Sequence, residues 1–196
     1  MFKAVQEETP TALEPLSDIQ IGSFTWKGFK WITVIDLFSK VAMAHLAQDR
    51  TAEAVLVALR AWFQFYGVPR WIFSDGGQEF DNATIRGEME TLEVEWYINT
   101  PGHPKSRGGI ERLHSTLSDH LWVYHADNGL EPDEAIVRAI AAYNHSIRTT
   151  TGFSPFEVLF GLQERSRNFM ATAEADGEIV NHGIVIRSAK RTTCAL

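Results

Sequence analysis

The chain has 196 residues, enough for one domain of ordinary size with a tail. Hydrophobic residues make up 44% of it, twelve of them Phe and six Trp, so a sizeable core is expected and global disorder is excluded. Lys and Arg number 18 against 25 Asp and Glu, a net charge of −7. Phosphate neutralisation drives affinity for nucleic acid, so the chain alone is expected to bind DNA only weakly. Basic surface would have to come from partners or further domains. The single cysteine, Cys194, excludes an intrachain disulfide and a Cys₂His₂ zinc site despite seven histidines. Residues 1–10 are polar and acidic, unlike a secretory signal, and no apolar run approaches the roughly 18–20 residues of a membrane helix. A reducing, intracellular setting is expected.

Residues 1–15 read as a flexible N-terminal arm, with no repeat or low-complexity tract anywhere in the chain. Segments 17–24, 29–37 and 41–47 are rich in Ile, Val, Trp, Phe and Thr, with Gly28 and Ser39-Lys40 at the turns between them. They predict a three-stranded antiparallel meander. A helix is predicted over 51–66, capped by Thr51 and closed by Gly67 and Pro69. Its stripe of 55, 59, 62 and 66 is widened by Val57, Ala61 and Phe65, which suggests cover on more than one side. A strand at 70–74, a helix near 82–92 and a strand at 94–98 follow. A loop over 100–109, marked by Gly and Pro, leads into a long helix over 107–125 with core positions Ile110, Leu113, Leu117, Leu121 and Tyr124. A helix over 132–147 and a short one after Ser154-Pro155 complete a pattern that predicts an α/β fold, a mixed sheet flanked by helices. Residues 163–196 read as an irregular tail with a short strand at 183–187 and a small basic cluster, Arg187, Lys190 and Arg191.

Two segments carry candidate chemistry. In IFSDGGQEF (72–80), Asp75 follows a short hydrophobic strand and precedes two glycines, where nothing bulky shields its carboxylate. In TPGHPKSRGGIERLHSTL (100–117), Glu111 opens a helix and lies roughly 120° around the wheel from the core stripe. A third acid, Asp18, falls in the first expected strand. Three carboxylates converging from separate elements would repel one another unless a cation neutralised them, and hard oxygen ligands suit Mg²⁺ or Mn²⁺. Two such ions can activate a hydroxyl nucleophile and stabilise the leaving oxygen of a phosphodiester. Each acid taken singly is as well explained as a solvated side chain, since the chain has 25.

The selection among them comes from a resemblance. TVIDLFSK (33–40), SDGGQEF (74–80) and HPKSRGGIERLHSTL (103–117) together resemble the catalytic core of retroelement integrases, the gypsy type in particular. That family shows an Asp on the first strand, an Asp in a motif near SDNGxEF and a Glu in a motif near HPxxxGxxER. The last two are 35 residues apart in the D,D(35)E pattern, and 35 residues separate Asp75 from Glu111. YNHSIRTTTGFSPFEVLFG (143–161) resembles the family's following segment, so the likeness spans about residues 16–162.

The resemblance implies a five-stranded RNase H-like sheet and a metal-binding, catalytic triad of Asp18, Asp75 and Glu111 holding two Mg²⁺ or Mn²⁺ ions. Asp18 is preferred to Asp36 because the family's first acid precedes the hairpin that ends in the D-x-F-S-K segment. The implied activity is DNA integration by polynucleotidyl transfer: 3′-end processing, which is an endonuclease step, then strand transfer into target DNA. The implied partners are element ends, target DNA and a second copy in a homodimer, and the implied location is the nucleus.

Two departures stand out. Gly76 occupies the family's usual Asn position. Ser115 and Ser118 stand where the family often has lysines that hold the DNA end, within roughly 40° of Glu111 on the wheel. His103, Lys105, Arg107 and Arg112 are candidate phosphate contacts in their place, or ordinary solvated charges. His114 reads as a helix surface residue, with a catalytic base as the alternative. Gly102, Gly108 and Gly109 read as a mobile loop able to close over a DNA end, or as simple turn formers. Trp62 and Trp122 are expected in the core, with a subunit interface as the alternative. The family's zinc-binding His₂Cys₂ module is excluded by the cysteine count. A fragment of a longer polyprotein or a reading frame surviving from a decayed element is therefore expected. Besides the enzyme, a non-catalytic integrase-derived module for binding or dimerisation remains open, as does an RNase H-like nuclease acting on RNA–DNA hybrids.

Overall fold

A computed structural model describes residues 2–4, 12–99, 108–127 and 129–161. The expected meander is present as β2 (Asp18–Trp26), β3 (Phe29–Asp36) and β4 (Ala42–Ala47), paired antiparallel with Ile21 opposite Val34 and Thr33 opposite Ala44. α1 (Ala52–Tyr66) then leads to β5 (Trp71–Asp75), and α2 (Ala83–Thr91) leads to β6 (Glu95–Asn99). β5 lies parallel to both β2 and β6, giving the mixed sheet the meander-then-alternation pattern predicts. A short edge strand, β1 (Phe2–Ala4), pairs parallel with β6, so the sheet is six-stranded in the order β1-β6-β5-β2-β3-β4. Part of the expected N-terminal arm is therefore a strand, which a three-residue segment with no alternation does not announce.

Period-two alternation divides the core. Odd residues of β2 (Ile19, Ile21) join Ile32, Val34, Leu56, Leu59, Trp62 and Trp96 beneath α1 and α2. Even residues (Phe24, Trp26) join Trp31, Ile35, Leu113, Leu117, Leu121 and Tyr143 beneath α3 (Gly108–Trp122) and α4 (Pro132–His145). Both faces of the sheet are thus covered, as parallel pairing requires.

Helix ends follow local chemistry. The Thr51 hydroxyl accepts from the Ala54 amide at 3.2 Å and the Asn82 side chain from Ile85 at 3.0 Å. Gly67 ends α1 at a φ of 87°, a value that disfavours any residue with a Cβ. On α1 only one face is covered: Val55, Leu56, Leu59 and Trp62 are buried, whereas Phe65 is 72% exposed and Val57 is also exposed. The widened stripe was therefore a surface feature, and Trp62 belongs to the core. α3 ends in a π-helical turn (Val123–Asp127) rather than continuing as α-helix.

The segment 143–161, which resembles the family's, is architectural. The Asn144 side chain accepts from the Ala42 amide and donates to its carbonyl, both at 2.8 Å, fastening α4 to β4 as a strand would. Ser154 and Glu157 form a reciprocal capping box that starts α5 (Pro155–Phe160). No described helix is long and apolar enough to cross a membrane.

Candidate active site

β2 and β5 set the geometry of the acidic residues. Their register pairs Asp18 with Trp71, Ile19 with Ile72 and Gln20 with Phe73. Asp75 ends β5 four residues beyond Trp71 and is exposed, its Oδ1 accepting from the Gly77 amide at 3.0 Å. At about 3.3 Å per residue, Asp18 and Asp75 are separated by about 13 Å along the strands.

α3 runs over β2. Its first turn is anchored by Gln20, whose Oε1 accepts from the Ile110 amide at 3.2 Å. A Cβ on Gly109 would stand 3.0 Å from that oxygen, so glycine permits the close approach. Further along, Ile110 and His114 lie over Gly22, and the His114 ring packs on Phe24. Glu111, exposed, is bracketed by these contacts and stands level with Gln20 and Gly22, hence with Phe73 and Asp75 on β5.

The structure therefore brings Asp75 and Glu111 to one end of β5 and places Asp18 elsewhere. Asp18 is 2% exposed, and its Oδ1 is buried without a hydrogen-bond partner. Burial raises its pKa, with Asp36 adding a like charge, while a Ser17 hydrogen bond and Arg70 oppose the rise. The preference for Asp18 as the first metal ligand is corrected: two carboxylates on one Mg²⁺ bring oxygens within about 4 Å of each other, and no Asp side chain closes the gap to Asp75. Asp36 is not the substitute. It is buried and accepts from the Leu16 and Ser39 amides and the Ser39 hydroxyl, closing the turn between β3 and β4. Among the described residues, no three His, Cys, Asp or Glu side chains converge as metal ligands. The donor set thus does not fit the implied metal pair.

Of the proposed DNA contacts, His103, Lys105 and Arg107 lie outside the described residues. Arg112 and Ser115 are exposed on α3, and Ser118 is half-buried. Arg112 is close to Lys40, whose pKa is lowered first by burial, with Arg112 adding to the fall and Asp36 opposing it. His114 departs from its surface reading. Burial pushes its pKa down to about 4, and its Nε2 lies 2.7 Å from the Thr33 hydroxyl. That hydroxyl donates its one proton to the Gly22 carbonyl at 3.0 Å, so Nε2–H of a neutral His114 must be the donor.

The sequence reading missed Gly22, Gln20 and the pair Ser23–Glu79, where the Ser23 hydroxyl donates to Glu79 at 2.7 Å across to the loop after Asp75. Their signal lay in strand parity: only even residues of β2 share the Asp75 face, and the register deciding which one is level depends on pairing.

The comparisons agree with this architecture. No family model matches the chain. The Gag-Pol polyprotein of feline leukemia virus is 29% identical over 150 residues, covering 74% of this chain and 9% of that protein. The retrovirus-related Pol polyprotein from transposon gypsy of Drosophila melanogaster is 27% identical over 161 residues, covering 81% and 16%. The chain thus spans a small part of these relatives. Among solved structures, the catalytic core of BIV integrase superposes with a TM-score of 0.66 at 23% identity, covering 74% of this chain and 95% of that one. The HTLV-2 integrase catalytic core in complex with magnesium, in a trimeric form, gives 0.63 at 19%, covering 74% and 97%. The fold is that of a retroviral integrase catalytic core, and the sequence relatives are retroviral and gypsy Pol polyproteins.

Proposed function

We propose that the chain, an integrase core by fold and kinship, serves DNA integration as a subunit that contacts DNA and further integrase-core chains without performing the metal-dependent chemistry alone. One observation carries this reading: Asp18 stands four residues out of level with Asp75, leaving two carboxylates where the chemistry needs three. Arg112 on α3, with His103, Lys105 and Arg107 before it in the sequence, is the basic group that would meet phosphate. Self-association is supported by the HTLV-2 core, which has been solved in dimeric and trimeric forms. A role in DNA integration would put the chain to work in the nucleus.

A second reading keeps the full activity, 3′-end processing and strand transfer by polynucleotidyl transfer at Mg²⁺ or Mn²⁺. It is favoured by the 35 residues between Asp75 and Glu111, the spacing of the family that the sequence resembles. Fluorescence anisotropy on a labelled duplex, in EDTA and in Mn²⁺, tests the metal-independent DNA contact that the first reading requires. A binding-only subunit gives the same salt-sensitive binding in both conditions. Binding that appears only with Mn²⁺ would overturn the first reading.

A further inference from the structure

The place a third carboxylate would need can be located from the strand register. Gln20 is paired with Phe73, and both share the sheet face that carries Asp75. One further two-residue step on each parallel strand sets Gly22 level with Asp75, at a strand spacing of about 4.8 Å. The same glycine lies beneath α3. A Cβ built on Gly22 meets Ile110 Cγ1 at 3.0 Å and His114 Cε1 at 3.4 Å. These two helix residues flank Glu111, one position before it and three after it, on neighbouring surfaces of the helix. A side chain at residue 22 would therefore rise between Asp75 and Glu111. No other position of β2 meets both conditions: Gln20 is engaged with the Ile110 amide, and Phe24 is packed against Trp31 and His114.

We infer that Gly22 is the vacant position of a divalent-metal site, the place of a carboxylate that Asp18, four residues further back along β2, does not supply. The inference rests on the reading of the chain as an integrase core and names the position. Two features of the surroundings have settled around glycine. α3 approaches β2 closely enough for Ile110 to rest over the Gly22 Cα. The backbone carbonyl of Gly22 takes part in the buried His114–Thr33 relay. Asp75 and Glu111 are both left exposed to solvent. Replacing Gly22 by Asp would supply the third ligand, and Ile110 Cγ1, at 3.0 Å from the new Cβ, must give by a few tenths of an ångström.

The test is calorimetric titration of Mn²⁺ into the whole chain as it stands, into Gly22→Asp, and into Gly22→Asp combined with Ile110→Ala, which removes the crowding Cγ1. Circular dichroism establishes that each variant is folded. The expected result is weak binding by the unaltered chain and a gain of about tenfold or more in a folded Gly22→Asp variant. The gain should be abolished by adding Asp75→Asn and untouched by adding Asp18→Asn. Tight Mn²⁺ binding by the unaltered chain that depends on Asp75 and Glu111 would overturn the inference. A folded double variant with no gain would overturn it equally. Neither result bears on the anisotropy experiment, which tests the subunit reading through DNA binding without metal.

Discussion

Asp18 and Asp75 belong to the same face of two hydrogen-bonded parallel strands yet stand four residues apart along them, because Asp18 pairs with Trp71. Same-face carboxylates that are out of level have different fates. Asp75 reaches solvent at the strand end, whereas Asp18 is enclosed with an unpartnered oxygen. Their environments yield separate predictions.

Asp18 is expected to behave as a costly buried acid. Burial holds its pKa above the ordinary carboxylate value, so folding takes up a proton as pH falls through that window. Its contribution is most favourable below the unfolded pKa and is lost as pH rises through the folded one. Asp18→Asn removes the charge and keeps an acceptor. It should leave stability at pH 7 unchanged or raise it by about 1 kcal/mol, measured by urea unfolding.

His114 gives the opposite pH dependence. Its pKa falls to about 4 from 6.5 because it is buried as a neutral donor to Thr33. The stability tied to neutral His114 is complete above pH 6.5 and is lost progressively as pH falls towards 4. Between pH 7 and pH 5 the loss should be about 2 kcal/mol. His114→Gln retains a donor and should flatten this part of the urea-midpoint profile.

The two glycines after Asp75 should respond differently. A Cβ on Gly76 meets nothing nearer than Ile98 Cγ2 at 3.7 Å, so Gly76→Asn, which restores the residue usual in the resembling motif, should fold with unchanged stability. A Cβ on Gly77 would stand 2.6 Å from Glu79 Oε2 and 3.1 Å from Asp75 Oδ1. Gly77→Ala must therefore displace the Glu79 carboxylate from Ser23, at a cost of about 1 kcal/mol. Thermal unfolding of the two variants side by side measures the difference.

Asn144→Ala should cost about 2 kcal/mol. It removes both bonds to the Ala42 backbone, leaving an amide and a carbonyl of β4 without partners. Urea unfolding monitored by Trp fluorescence reads the loss.

Much of the fold was legible because it is written in local patterns. The alternation of β2 and β3, the caps Thr51, Asn82 and Ser154, and the stripe Leu113–Leu117–Leu121 are each readable within one element. The places of Asp75 at the end of β5 and of Glu111 in the first turn of α3 were legible too. The third position was not. Asp18 and Gly22 lie on the same face of one strand, and only the pairing of β2 with β5 decides which is level with Asp75. An acid draws attention in a sequence, whereas a glycine leaves no mark. The burial of His114 was likewise hidden, since it depends on Gly22 letting α3 approach the sheet.

The most direct test of the account is strand-transfer reversal on a branched DNA mimicking the joined product, in Mn²⁺, comparing the unaltered chain with Glu111→Gln. The account predicts no joining or release of strands by either protein, although both bind the DNA. Metal-dependent product from the unaltered chain that disappears in Glu111→Gln would contradict it, because two carboxylates would then have proved sufficient.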